Sequence, residues 1–122
     1  MSIFICFTIY IQMEKDYLGE FEELILTMVA ILGEESYGNA IVQEIQERLD
    51  RKVNLSAVHV TLYRLEDKGH VKSHMGGATS SRGGRKKRLF EISNAGLALL
   101  HSIKEQRSSL WKLVPQMKII GT

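Results

Sequence analysis

The sequence predicts a mainly α fold with a small β-hairpin: a winged helix-turn-helix followed by a C-terminal dimerisation helix. Three observations predict it. Three amphipathic helical segments come first. A strand, a glycine-rich basic loop and a second strand follow. One further apolar helix closes the pattern. The 122 residues suit one domain with a single modest core. At 44% hydrophobic and 25% charged, the chain is too apolar to be disordered.

The first helix is expected from Tyr17 to Leu32. Leu18, Phe21, Ile25, Met28 and Leu32 recur at steps of three and four, and Leu24 and Ile31 widen the stripe. Gly33 is a natural C-terminal glycine. Ser36 is expected to cap a second helix, Tyr37 to Leu49, with Ile41, Ile45 and Leu49 inward. After a short connection, Asn54 caps a third helix, Leu55 to Lys68, stopped by Gly69. His70 to Met75 and Arg88 to Ile92 read as the strands of a hairpin. Ser93 caps the last helix, Asn94 to Val114, and Pro115 ends it. The domain reading is therefore a winged domain over residues 13–93 and a dimerisation helix with tail over 94–122.

Residues 1–12, MSIFICFTIYIQ, are apolar and uncharged. They fall short of the ~20 residues that cross a bilayer. They also lack the basic start and small-residue cleavage site of a signal peptide. Met13 stands before Glu14-Lys15-Asp16, so residues 1–12 are expected to be an upstream extension of the reading frame. Cys6 is the single cysteine; no internal disulfide can form, and a reducing cytoplasm is the expected compartment.

Charge divides the chain. Residues 1–50 set Lys15 and Arg48 against ten acids, a net of −8. Residues 51–122 set fourteen Lys and Arg against Glu66, Asp67, Glu91 and Glu105, a net of +10. A basic half of this kind suits a polyanion. On the third helix, Leu55, Val58, Leu62 and Leu65 form the inward stripe. The opposite face carries Ser56, Ala57, Val60, Tyr63, Arg64 and Lys68, with His59 and Thr61 at its flanks. Short side chains near the N-terminus let a helix approach base edges, and basic ones further on reach phosphates. The bland reading is a solvated face, which Glu66 and Asp67 would suit. The hairpin adds Arg82, Arg85, Lys86, Lys87 and Arg88 within seven residues, and Lys72 on the partner strand. Phosphates would match such closely spaced cations by counterion release. The competing reading of the loop is a polybasic patch for lipid.

Leu18-Gly19-Glu20-Phe21-Glu22, Leu32-Gly33-Glu34-Glu35-Ser36-Tyr37-Gly38, Leu62 to Val71, Gly83 to Arg88 and Phe90 to Gly96 together resemble the PadR family of bacterial transcriptional regulators, in the right order. The resemblance implies a homodimer, a winged DNA-binding domain and repression relieved by a signal. The family pattern carries tyrosine where this chain has His59. Histidine supports the helix or touches DNA more weakly.

The last helix carries Leu97, Leu100, Ile103, Leu110 and Val114 in line, with Leu99, Trp111 and Leu113 beside them. That apolar surface suits a dimer arm; packing back on its own domain is the alternative. Trp111 is also placed to line a small-molecule site at such an interface. Enzyme readings fail on residue pattern. His59, His70, His74 and His101 form no metal-ligand spacing with Cys6 or carboxylates. His70 and His74, an even four residues apart in one strand so that both can face one side, read as surface residues of the wing. The glycine pairs lack the Lys-Ser/Thr ending of a phosphate loop. The expected partners are double-stranded DNA, a second copy and an effector of unknown chemistry, with no catalytic residues, cofactor, metal or membrane. A winged-helix module that binds protein or RNA is the alternative.

Overall fold

The computed structural model describes residues 18–76 and 86–116. Residues 1–12, Arg82, Arg85 and the tail from 117 lie outside them. The element order is α1 (Glu20–Leu32), a 3₁₀ turn (Gly33–Glu35), α2 (Gly38–Leu49), α3 (Leu55–Asp67), β1 (Val71–Met75), β2 (Arg88–Ile92) and α4 (Asn94–Trp111). The strands pair antiparallel, with Val71 opposite Ile92 and Met75 opposite Arg88. The mainly helical winged fold expected from the sequence is the fold observed.

The core follows the predicted stripes of α2 and α3, whereas on α1 it takes in Leu26 and Val29, which lay outside the predicted stripe. Ile25, Leu26, Met28 and Val29 from α1 meet Ile41 and Ile45 from α2, Val58, Leu62 and Leu65 from α3, and Val71 and Phe90 from the hairpin. Each such side chain contributes about 1.5–3 kcal/mol on leaving water. Three residues assigned inward are not. Ile31, on the widened edge of the α1 stripe, is half exposed. Leu49 ends α2 beyond the reach of the core, and Leu55 opens α3 at its rim; both are exposed.

Several boundaries differ from expectation: α1 begins at Glu20 rather than Tyr17, and α3 ends at Asp67 rather than Lys68. Tyr37, not Ser36, is the N-cap of α2. Ser36 is fully buried, and its carbonyl accepts the Phe90 N–H at 2.8 Å. Ser36 is therefore bound along the free edge of β2 and its backbone is spent there. Asn54 caps α3 as expected, accepting from the N–H groups of Ser56 and Ala57. Helix α4 stops at Trp111, three residues short of Val114, and Ser93 caps it through the Gly96 N–H. His70, expected on the wing surface, precedes β1 and is only 2% exposed, because the Ser93 N–H draws its carbonyl under the start of α4.

Ion pairs tie α1 to its neighbours: Glu20 to Arg51, Glu22 to Lys68 and Glu23 to Arg107. Burial pushes the Glu22 carboxyl up. The Lys68 ammonium at 2.8 Å, the Gly19 N–H and the Arg64 charge pull it down further, and the net shift is downward from 4.5. A lowered carboxyl stabilises the fold above its ordinary value, and that contribution is lost as pH falls through the lower folded value.

Two outcomes are expected. Glu22→Gln costs less than about 1 kcal/mol near neutral pH. The difference from wild type then shrinks below pH 4.5, as urea titrations across pH will read. Gly96→Ala is far worse, since a methyl there would lie 2.2 Å from the His70 carbonyl oxygen and 3.1 Å from its carbon. Backbone cannot step aside as a side-chain tip can, so a loss of about 1–3 kcal/mol or more is expected in the same titration.

Candidate nucleic-acid interface

The start of α2, the outward side of α3 and the first residues of β2 enclose a shallow cleft of about 470 Å³. Tyr37, Gly38, Asn39 and Gln43 line it from α2, His59 and Tyr63 from α3, and Lys87, Arg88 and Phe90 from the wing. Phe90 explains the meeting. Its ring is buried in the core and meets the Tyr63 ring edge-on, with centroids 6.0 Å apart. The wing strand is thereby fixed against α3.

Charge is arranged around that junction. The Lys87 ammonium lies 4.1 Å from the centre of the Tyr37 ring, within cation–π range. The Arg88 guanidinium donates to the Ser73 hydroxyl at 2.8 Å, and that hydroxyl donates to the Glu66 carboxylate on α3. One of Arg88's five donors is thus used to hold its place, leaving the others for a ligand. No side chain caps α2 at Tyr37, so first-turn N–H groups remain available to an anion.

The predicted DNA-facing residues divide into four groups. Ser56, Ala57, His59, Val60, Tyr63 and Arg64 on α3, with Lys86, Lys87 and Arg88 on the wing, are all exposed. Thr61 is a correction: it is 6% exposed, and its hydroxyl donates to the Ala57 carbonyl at 2.8 Å, because it falls on the inward side with Val58 and Leu65. Two cations are also displaced. Lys68 turns to α1 and pairs with Glu22. Lys72 stands opposite Glu91 on the far face of the hairpin from Ser73 and Phe90, since neighbours in a strand alternate. That far face borders Glu34 and Glu35 of the 3₁₀ turn, not α3. Arg82 and Arg85 lie outside the described residues.

Tyr37, Asn39 and Gln43 were not among the sequence candidates. Their only signal was the helix-turn-helix order, in which the helix before the recognition helix crosses the backbone of DNA. In α4, Leu97, Leu110 and Trp111 are exposed, and so is Val114 just beyond its end, as a partner surface requires. Leu100 and Ile103 are instead half-buried against this chain's own core, because the first half of α4 lies on α1. Among the described residues, no group of three His, Cys, Asp or Glu is placed to hold a metal. Among them also, no helix is long and apolar enough to cross a membrane.

A family model described as the Transcriptional regulator PadR-like family matches residues 25–102. Solved structures agree. A PadR family transcription regulator from Clostridium difficile R20291 superposes with a TM-score of 0.65 at 26% identity, covering 78% of this chain and 94% of that one. A PadR-like transcription factor from Bacteroides fragilis gives 0.63 at 20% identity, covering 87% and 94%. Bacillus subtilis PadR, solved in complex with operator DNA, gives 0.58 at 21% identity, covering 84% of this chain and 51% of that one. None of the curated proteins matches.

Gly38 offers a test of how His59 is held. A methyl on Gly38 would lie 2.4 Å from His59 Nε2 and 3.0 Å from Leu55 Cδ1. Both are side-chain ends, and both residues are exposed. Gly38→Ala is therefore expected to cost no more than about 1 kcal/mol, the low end of overpacking, while displacing the His59 ring. Urea unfolding will read the first effect, and the His59 ring resonances in NMR the second.

Proposed function

Because the chain belongs to the PadR-like family of transcriptional regulators, we propose that it binds double-stranded DNA sequence-specifically and acts as a repressor. Helix α3 is the recognition helix, entering the major groove with its N-terminal half. The wing and the start of α2 hold the flanking backbone. The observation that carries this reading is the shared cleft, where cationic Lys87 and Arg88 stand beside the exposed side of α3. Phosphate contacts of that kind position a protein on the duplex, and the helix between them reads bases. The operator complex of the Bacillus subtilis protein, which has the same fold, supports it.

The protein acts as a homodimer on a palindromic site. Leu97, Leu110 and Trp111 along α4, with Val114 just beyond it, leave too much apolar surface in water, and a second copy related by a two-fold axis would cover it. Such a dimer presents its two recognition helices roughly 34 Å apart, one turn of duplex. The region from residue 94 onward is the dimerisation segment of this reading, and the compartment is the cytoplasm, where the duplex lies. Trp111, 74% exposed on a single chain, is then a candidate wall for an effector between the two copies.

Fluorescence anisotropy on a duplex from upstream of the protein's own gene tests this. Affinity is expected to fall steeply with salt. Lys87→Ala and Arg88→Ala should each reduce the log–log salt slope by about 1. Arg64→Ala should weaken binding without unfolding the chain. Equal affinity for an unrelated duplex, with no change in slope for either wing variant, would sink the proposal. Preference for a protein or RNA partner would then take its place.

A further inference from the structure

The first two turns of α3 hold few groups that can read a base by hydrogen bonding. The Asn54 side-chain oxygen is spent on the N–H groups of Ser56 and Ala57, at 2.7 and 3.3 Å. The Thr61 hydroxyl is buried and bonded to the Ala57 carbonyl. Val58 is in the core, and the His59 ring rests against Gly38. Ser56, Ala57 and Val60 remain. None of them is an Arg or Lys for guanine, an Asn or Gln for adenine, or an acid for cytosine.

Val60 is the unusual member. It is 52% exposed, four residues after Ser56 and three before Tyr63, and so lies in the middle of the outward side. Ala57, three residues earlier, extends a small apolar strip toward the helix start. Exposed Arg64 follows one turn later, and Lys87 and Arg88 border the same helix. A strip bordered by cations suits a polyanion that carries an apolar group. The thymine C5 methyl is the one apolar feature of the major-groove edge. Resting on the DNA-binding reading above, we propose that Val60 determines specificity by packing against a thymine methyl in each half-site.

The test uses duplexes selected by the full-length protein from a randomised pool. Each thymine of the selected site is then replaced by deoxyuridine, which removes the methyl and keeps every hydrogen-bonding group. One thymine per half-site is expected to matter. Its replacement should weaken wild type by about fourfold, the worth of one buried methyl. Replacement in both half-sites should weaken it by about fifteenfold. Val60→Ala, an exposed substitution, should bind the thymine and uracil duplexes equally and bind both less tightly than wild type binds thymine. If every uracil duplex binds wild type as tightly as its thymine parent, Val60 reads no methyl. An equal uracil penalty in Val60→Ala overturns the assignment to this residue. If the pool shows no enrichment at all, the DNA-binding reading fails first, and the inference falls with it.

Discussion

Phe90 is the residue on which the geometry of this protein depends. Its ring fills the core and meets Tyr63 edge-on, while its N–H is held by the buried Ser36 carbonyl. Strand β2 is thereby gripped from three sides: by β1, by the segment before α2, and by the outward helix α3. Without that grip the basic residues next to it would sit on a hairpin attached only at its ends. With it, Lys87 and Arg88 are delivered to the side of α3 that also carries Tyr63 and His59. Position is what turns a run of cations into a surface, because the attraction of one charge for one phosphate is weak in water and screened by salt.

The charge division between the halves of the sequence has two uses. Part of it is internal. Glu20, Glu22 and Glu23 on α1 each take a cation from the basic half: Arg51, Lys68 and Arg107. These pairs are partly exposed and individually modest. Their geometric effect is larger, since each joins α1 to a different neighbour. Lys52, Lys104 and Lys112 are exposed as well, but the exposed cations that stand together are those of α3 and the wing, where Glu66 is engaged through Ser73 in holding Arg88. Net charge alone would have overstated how many basic residues face a ligand.

Helix α4 has a divided character. Its first half is a structural part of the winged domain: Leu99, Leu100 and Ile103 pack on the core, and Arg107 reaches Glu23. Beyond that, Leu110, Trp111, Leu113 and Val114 stand in water. One helix thus joins the core to an unpartnered apolar end.

Periodicity and capping chemistry made the element order legible from the residues alone. The stripes of α1, α2 and α3, the Asn54 and Ser93 caps, and the two strands are local features, set by spacing and by short-range hydrogen bonds. The outward residues of α3 followed from the same wheel, and so did the basic character of the wing. Contacts between distant segments were not legible. Ser36 has the chemistry of a helix cap, but Phe90, far along the chain, claims its backbone. His70 looks like a surface histidine until α4 packs over it. Lys68 and Lys72 carry the right charge, yet α1 and the strand register turn them elsewhere. Thr61 lies near the edge of the inward stripe, where a small rotation decides burial. Local sequence fixes which groups exist and on which side of an element they emerge. Only the packing of those elements decides what stands opposite them, since that depends on contacts between residues far apart in the chain.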